Sequence, residues 1–292
     1  MAAMSCKRWP GAVARRLAPV VLVAVVPAIQ AQESAGSDAQ PGGGAAYANT
    51  LSLGGYYSRG DYGADADSHV TYLPLSWEHS RAPWRFSVTA PWLKISGPGN
   101  VLVNTGGVSR PGRPDVPETT EPRRVRDSGL GDVLLQAIWE APVWSEGGPF
   151  LDVGVEVKLP TADETRGLGT GATDTGLQVD LYQQFSDTTA FATLGHRWRG
   201  SSDWFADLQD TWWASLGFSR PLRQDSQGGE WSWGVIYDYR EAASTWSVET
   251  HELLPYLTWA PDPRWSVMGY VTTGFTRDSA DQAVGLQLSR SW

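Results

Sequence analysis

From Tyr47 onward, hydrophobic and polar residues alternate along most of the chain. In Phe150 to Leu159, the residues Leu151, Val153, Val155, Val157 and Leu159 take one parity, and Asp152, Gly154, Glu156 and Lys158 take the other. A helix would scatter five such apolar residues around its circumference, whereas a strand gathers them on one face. The same spacing recurs at Trp84 to Lys94, where Trp84, Phe86, Val88, Ala90 and Trp92 oppose Arg85, Ser87 and Thr89. It recurs again at Trp231 to Arg240, where Trp231, Trp233, Val235, Tyr237 and Tyr239 oppose Ser232, Gly234, Asp238 and Arg240. Less regular strands are predicted at Tyr47 to Tyr57, Val70 to His79, Gly129 to Ala141, Thr175 to Phe185, Thr189 to Trp198 and Gln209 to Ser219. Further ones are predicted at Glu249 to Ala260, Arg264 to Phe275 and Gln282 to Trp292, giving about twelve segments of roughly ten residues.

The links between these segments alternate in length. Tight ones fall at Ser80 to Ala82, Ser186-Asp187 and Asp262-Pro263, with moderately short ones at Pro142 to Pro149 and Pro221 to Gly229. Longer ones lie between, at Arg59 to Ser68, Ser96 to Ser128, Thr161 to Thr173, Arg199 to Leu208, Glu241 to Val248 and Thr276 to Asp281. An even number of strands with short and long connections in alternation is the layout of an outer-membrane barrel. The expectation is an all-β fold, a transmembrane antiparallel β-barrel of about twelve strands with both termini periplasmic. A soluble barrel or sandwich also alternates, so the aromatic residues help to choose between them. Trp84 and Trp92, like Trp231 and Tyr239, stand eight residues apart on one face. At roughly 3.3 Å per residue and about 40° of tilt that is about 20 Å of height, close to the spacing of two interfacial aromatic girdles.

The segment before the barrel reads as an export signal. Lys7, Arg8, Arg15 and Arg16 form a basic region, Leu17 to Val26 an apolar run, and Ile29-Gln30-Ala31 a cleavage site, so residues 1–31 are predicted to be a signal peptide. Residues 32–46, small, polar and Gly-rich, are predicted to be a flexible periplasmic leader, and 47–292 the barrel. Of 23 Lys and Arg, four lie in the signal, while all 32 Asp and Glu lie beyond it. That acidic balance argues against nucleic acid as a partner, because phosphate contacts need a basic face. Cys6 is the sole cysteine and falls inside the signal, which excludes a disulfide scaffold, a thiolate metal site and a catalytic thiol from the mature chain. Sixteen Trp and 32 Gly suit a sheet with aromatic rims and close-packed turns.

Three stretches in the middle of the chain carry a resemblance. Ser128-Gly129-Leu130-Gly131-Asp132 opens a strand, Val157-Lys158-Leu159-Pro160-Thr161 closes one, and Gly167-Leu168-Gly169-Thr170-Gly171 with Asp174 opens the next. Together with Leu194-Gly195-His196-Arg197-Trp198-Arg199-Gly200 they resemble the phenol-degradation meta-pathway (MetA-pathway) outer-membrane transporter family. Ala162 stands where that family has Gly after Leu-Pro-Thr, and His196 where it has Tyr. The resemblance implies a barrel that passes small, often aromatic or hydrophobic molecules, and it supplies no catalytic residues.

If the apolar rows face lipid, the opposite rows line a lumen. The candidate lining residues are Arg85, Glu140, Asp152, Glu156, Lys158, Asp180, Asp238, Arg240 and Glu252, joined by Gln178, Gln184 and Gln287. Placing Lys or Arg at mid-membrane on the lipid face would cost about 2 to 4 kcal/mol, so inward is the cheaper direction. They either line a selective pore or pair with one another and fill it; twelve strands fall between the filled eight-stranded and open sixteen-stranded cases. The long loop Ser96 to Ser128, with Pro98, Pro111, Pro114, Pro117, Pro122 and arginines 110, 113, 123, 124 and 126, reads either as a lid or as a solvated loop facing lipopolysaccharide phosphates. The Gly167 to Gly171 run lacks a following Lys-Ser/Thr and helix, so it reads as a turn and not a phosphate loop. Asp61, Asp65 and Asp67 lack the Gly and closing Glu of a calcium loop, and no cofactor or metal is predicted.

The function expected is passive transport of small molecules. A closed structural or adhesion barrel is the alternative. A lipid hydrolase is the third class, although His69, His79, His196 and His251 form no nucleophile-and-base pattern with the serines. Outer-membrane lipid and lipopolysaccharide are the expected surroundings. The last strand, with Val284, Leu286, Leu288 and Trp292 on one face, is expected to be read by the barrel-assembly machinery.

Overall fold

The computed structural model describes residues 48–62, 67–97, 102–104, 107–109, 125–142, 148–203, 205, 208–224, 229–245 and 247–292. The segments predicted to be signal and leader, and most of the Ser96 to Ser128 connection, lie outside the described residues. The strands in chain order are β1 (Ala48–Gly60), β2 (Ser68–Arg81), β3 (Trp84–Gly97), β4 (Leu102–Asn104), β5 (Gly107–Ser109), β6 (Val125–Leu130), β7 (Val133–Glu140) and β8 (Phe150–Leu159). They continue as β9 (Asp174–Phe185), β10 (Thr188–Trp198), β11 (Thr211–Gln224), β12 (Glu230–Arg240), β13 (Thr250–Asp262), β14 (Trp265–Gly274) and β15 (Gln282–Ser291). β4 and β5 pair only with each other, as a small hairpin within the long connection.

The rest form one closed antiparallel sheet. β6 and β7 both pair with β3 and act as two halves of one wall strand, so the barrel has 12 strands. Each strand pairs with its neighbours in sequence, and β1 pairs with β15 to close the ring. The seam is sealed where Asn49 N donates to Trp292 O and Trp292 N donates to Asn49 O, both at 2.9 Å. Closure pairs the wall all round at the height of β7 and β8, which is the condition for a sheet to survive in hydrocarbon; β6, beyond them at the long-loop end, pairs with β3 alone. The hairpins at Arg81–Trp84, 186–187 and 262–264 lie at the same end as this seam, and the long connections lie at the other. At the first end Arg220 binds Asp187 through Nε and Nη2 at 3.0 and 2.8 Å, and these bonds hold the Asp187 carboxyl below its usual range.

The polarity is inverted relative to a soluble barrel. Outward rows carry exposed Leu51, Leu53, Leu75, Val88, Val155, Leu177, Val179, Leu216, Leu257, Val284, Leu286 and Leu288. Inward rows carry buried Thr50, Ser52, Ser76, Thr89, Gln136, Thr193, Ser215, Ser266, Gln287 and Ser289. A row of leucines half open to its surroundings is stable only if those surroundings are apolar. Tryptophans gather on the outer wall near the seam end, where Trp231 and Trp259 stack at 5.8 Å between ring centroids. Near the other end His196 lies edge-on between Trp198 and Trp212, at 4.7 and 4.6 Å. His69 Nδ1 is 2.8 Å from Tyr57 Oη, and His251 Nδ1 is 2.5 Å from Tyr237 Oη. Such amphipathic rings belong at membrane interfaces.

The wall is irregular between β6 and β7. There the pairing with β3 shifts by one residue, from Trp92↔Leu130 to Thr89↔Leu134. The extra residue is a bulge, and it turns two consecutive residues, Gly131 and Asp132, to the buried side.

Candidate functional site: the barrel lumen

The inner face of β8 carries a ladder of charged and amide groups that rises from the seam end to the long-loop end. Asp152 comes first and takes Arg85 Nη2 at 2.8 Å, while Arg85 Nε lies 3.2 Å from Glu140. Next, Gln136 Nε2 donates to Gln178 Oε1 at 3.0 Å, and Gln178 Nε2 donates to Asp180 at 2.7 Å. Asp180 also accepts from Thr193 Oγ1 at 2.6 Å. Glu156 is higher still, gripped by Arg197 through Nε at 3.0 Å and again through Nη2. On the neighbouring wall Asp238 accepts from Ser215 Oγ at 2.6 Å and pairs with Arg240 at 2.8 Å. Glu252 accepts from Ala280 N at 3.2 Å. Thus Arg85, Glu140, Asp152, Glu156, Lys158, Asp180, Asp238, Arg240 and Glu252 all lie on inward rows, whereas Gln184 reaches the exposed seam-end rim. Lys158 and Asp180 are 0% exposed. Buried charges of this kind persist only when paired and hydrogen-bonded.

At the long-loop end the ladder finishes in a knot that joins the three resembling segments. Lys158 Nζ donates to Asp132 at 2.9 Å, Thr170 Oγ1 at 2.7 Å and the Ala172 carbonyl at 2.9 Å, and lies 3.4 Å from Asp174. Asp132 also accepts from Ala162 N at 3.1 Å, and Asp174 accepts from Gly200 N at 3.1 Å. Thr161 Oγ1 donates to the Gly131 carbonyl at 3.0 Å and accepts from Val133 N at 2.9 Å. The loop from 160 to 173 holds one short 3-10 turn, Glu164–Arg166, capped by Asp163, whose carboxyl is held below its usual range by the Thr165 hydroxyl. Gly167 and Gly171 have φ of 71° and 68°, a region that glycine enters without strain, so this glycine run is a turn. Leu168, Thr170 and Ala172 are buried, so the loop folds into the mouth and not away from it. Tyr62, Phe205, Asp278, Ser279 and Ala280 from other long-end connections are buried beside the barrel as well.

The opposite wall is aromatic. Pairing places Tyr72, Tyr56, Gly285, Tyr270 and Tyr256 in one inward row across β2, β1, β15, β14 and β13. A Cβ on Gly285 would sit 1.9 Å from Tyr270 Cζ, so the ring lies flat over the glycine. Tyr256 covers Gly234, Phe191 covers Gly217 and Trp213 covers Gly195 in the same manner. Among the described residues the hydroxyls of Tyr72 and Tyr270 are buried without a hydrogen-bond partner, as are Thr272 Oγ1 and Gln287 Oε1 nearby on the same wall. Ion pairs therefore dominate one half of the lumen, the ionic half, and tyrosines the other, although Glu78 and Glu252 lie on the tyrosine side and Tyr182 on the ionic side.

Several of these groups are absent from the residues that the sequence nominates. Asp132 shares the inward parity of Gln136 and Glu140 along β7, and the bulge just before it brings Gly131 to the buried side as well, which strict alternation does not show. Arg197 and the tyrosines are legible from parity: Arg197 opposes the outward Trp198, and each tyrosine occupies the polar parity of its strand. Glu78 and Asp174, both buried, are likewise additions that the structure makes.

No family model matches the chain, and no curated relative matches it by sequence. Solved structures do resemble it. An outer membrane channel from Pseudomonas putida F1 superposes with a TM-score of 0.58 at 14% identity, covering 87% of this chain and 100% of that one. The NanC porin gives 0.48 at 11% identity over 83% of this chain and 98% of that one. The CymD monoaromatic hydrocarbon channel gives 0.41 at 12% identity over 91% and 90%. At such identity the first likeness establishes the fold. Joined to the inverted polarity and the closed 12-strand sheet, it makes this chain a multi-pass β-barrel of the bacterial outer membrane with the fold of a channel.

Proposed function

We propose that the barrel is a narrow passive channel for small molecules of hydrophobic or aromatic character, of the kind the MetA-pathway resemblance implies. The observation that carries this reading is the inward tyrosine row, with the Tyr72 and Tyr270 hydroxyls buried and lacking a partner among the described residues. Rings lying flat against the wall offer stacking faces, and isolated hydroxyls offer single polar contacts. A site of that composition suits a small ring bearing one polar group better than a hydrated ion or a sugar. The ionic half fills its own side of the lumen by mutual pairing and keeps the bore narrow. The seam end, with the short hairpins, is the periplasmic one under this reading, and the residues named as lumen-lining act chiefly as wall and filling.

The burial of Lys158, Asp180 and Gln287 favours a second reading, a closed structural barrel acting through its outer loops. One experiment separates the two. Purified protein in planar bilayers and in liposomes is expected to give small discrete openings and to admit small phenolic solutes faster than sugars of equal size. No openings and no difference in entry would sink the channel.

A further inference from the structure

At the long-loop end the loop of residues 160–173 folds inward over the end of β8, with Leu168, Thr170 and Ala172 buried. We propose that Lys158 is the positioning residue that holds this loop across the lumen, so that the bore of the channel is set by one buried ammonium; the inference rests on the channel reading above. An ammonium has three hydrogens, and here they point to Asp132, Thr170 Oγ1 and the Ala172 carbonyl. Two of those acceptors belong to the loop, and the first belongs to the bulge on the facing strand. Asp174, 3.4 Å away, adds the strand after the loop and, through Gly200 N, the next connection.

The other ties of the loop lie toward its start, where Thr161 and Ala162 N bond Gly131, Val133 and Asp132, and at exposed Arg166, which reaches Asp127 at 3.2 Å and the Ser128 carbonyl at 2.8 Å. The loop has fewer over the stretch 167–172. Its inner part is Gly167, Leu168, Gly169, Thr170, Gly171 and Ala172, and only Leu168, lying over Gly129, presents a large apolar side chain. Ser202 Oγ donates to the Thr170 carbonyl at 2.5 Å, a single neutral bond. Without Lys158, the carboxylates of Asp132 and Asp174 would remain in a buried site and draw water into it. The loop would then leave, because its small residues bury too little apolar surface to stay.

Two variants test this in the full chain folded into bilayers. Lys158→Met removes the ammonium. Gly169→Val leaves it, but a Cβ at 169 meets Ala162 Cβ at 2.6 Å and the Asp132 carboxylate at 2.7 and 2.8 Å, so the loop is pushed out by shape alone. The readouts are single-channel conductance and the rate of tryptic cleavage after Arg166, mapped by mass spectrometry. Both variants are expected to be cut at Arg166 at least about tenfold faster than the parent, since cleavage tracks the open population. Conductance is expected to rise several-fold in both. If Lys158→Met does not give heat-modifiable folded barrel, Gly169→Val decides. Unchanged cleavage overturns the latch, and faster cleavage at unchanged conductance overturns the loop as the element that sets the bore. Absence of openings in the parent and in both variants removes the channel reading, and the proposal with it.

Discussion

Replacing Val155 by Arg tests whether the outward wall stands in hydrocarbon. Val155 lies at the centre of β8, is 51% exposed, and is flanked in register by Ala137 and Leu177. In water, a half-exposed valine on a soluble barrel would tolerate arginine with a change within about 0.5 kcal/mol. At the middle of a bilayer the same guanidinium costs about 2 to 4 kcal/mol. Since about 1.4 kcal/mol is a factor of ten, the folded-to-unfolded ratio should fall by roughly 30- to 900-fold. Leu222→Arg serves as the control: Leu222 is 54% exposed, nearly the same, but sits at the irregularity between Pro221 and Arg223 close to the seam-end rim. There the cost should be about 0 to 1 kcal/mol. The assay is equilibrium unfolding by urea in phospholipid vesicles, monitored by tryptophan fluorescence and by heat-modifiable migration on gels. Val155→Arg unfolding with the midpoint of the parent, or with that of Leu222→Arg, would refute the inference that β8 faces lipid.

The interior and the seam give three further expected outcomes. Arg197→Met should destabilise the barrel by about 3 to 5 kcal/mol, because it strands Glu156 as a buried unpaired charge. Adding Glu156→Leu should recover much of that loss, and equal stability of the single and double variants by thermal unfolding in detergent would contradict it. Gly285→Val drives a side chain into the Tyr270 ring and should cost about 1 to 3 kcal/mol; a fluorescence melt superimposable on the parent's would show that the ring has somewhere to go. Deleting Trp292 removes both backbone bonds to Asn49 at the seam and the exposed terminal ring. Less folded, heat-modifiable protein should reach the membrane fraction, and an unchanged yield would argue against a role for the last residue in assembly.

Much of this architecture is written in period-two alternation. Phe150 to Leu159 and Trp84 to Trp92 declare their faces because side chains alternate strictly wherever a strand is regular, so parity alone sorts Val155 from Glu156. The even strand count and the alternation of short and long links then require a closed meander, because open edges do not survive in lipid. What parity cannot carry is an interruption of itself. Gly131 and Asp132 are both buried because one extra residue between β6 and β7 moves the register, and no local property of Gly-Leu-Gly-Asp announces that shift. The inward tyrosines are legible one strand at a time, each on the polar parity, but only alignment of β2, β1, β14 and β13 shows Tyr72, Tyr56, Tyr270 and Tyr256 to be one row.

Which strands form, which way their side chains point and that the barrel lives in a membrane were thus set within the chain itself, because each depends on neighbours one or two residues apart. That Asp132, Lys158 and Asp174 meet, that Arg197 finds Glu156, and that the loop after Thr161 folds into the mouth emerged only on folding. Those contacts join residues that are distant in the chain, and they depend on barrel closure, register and one bulge acting together.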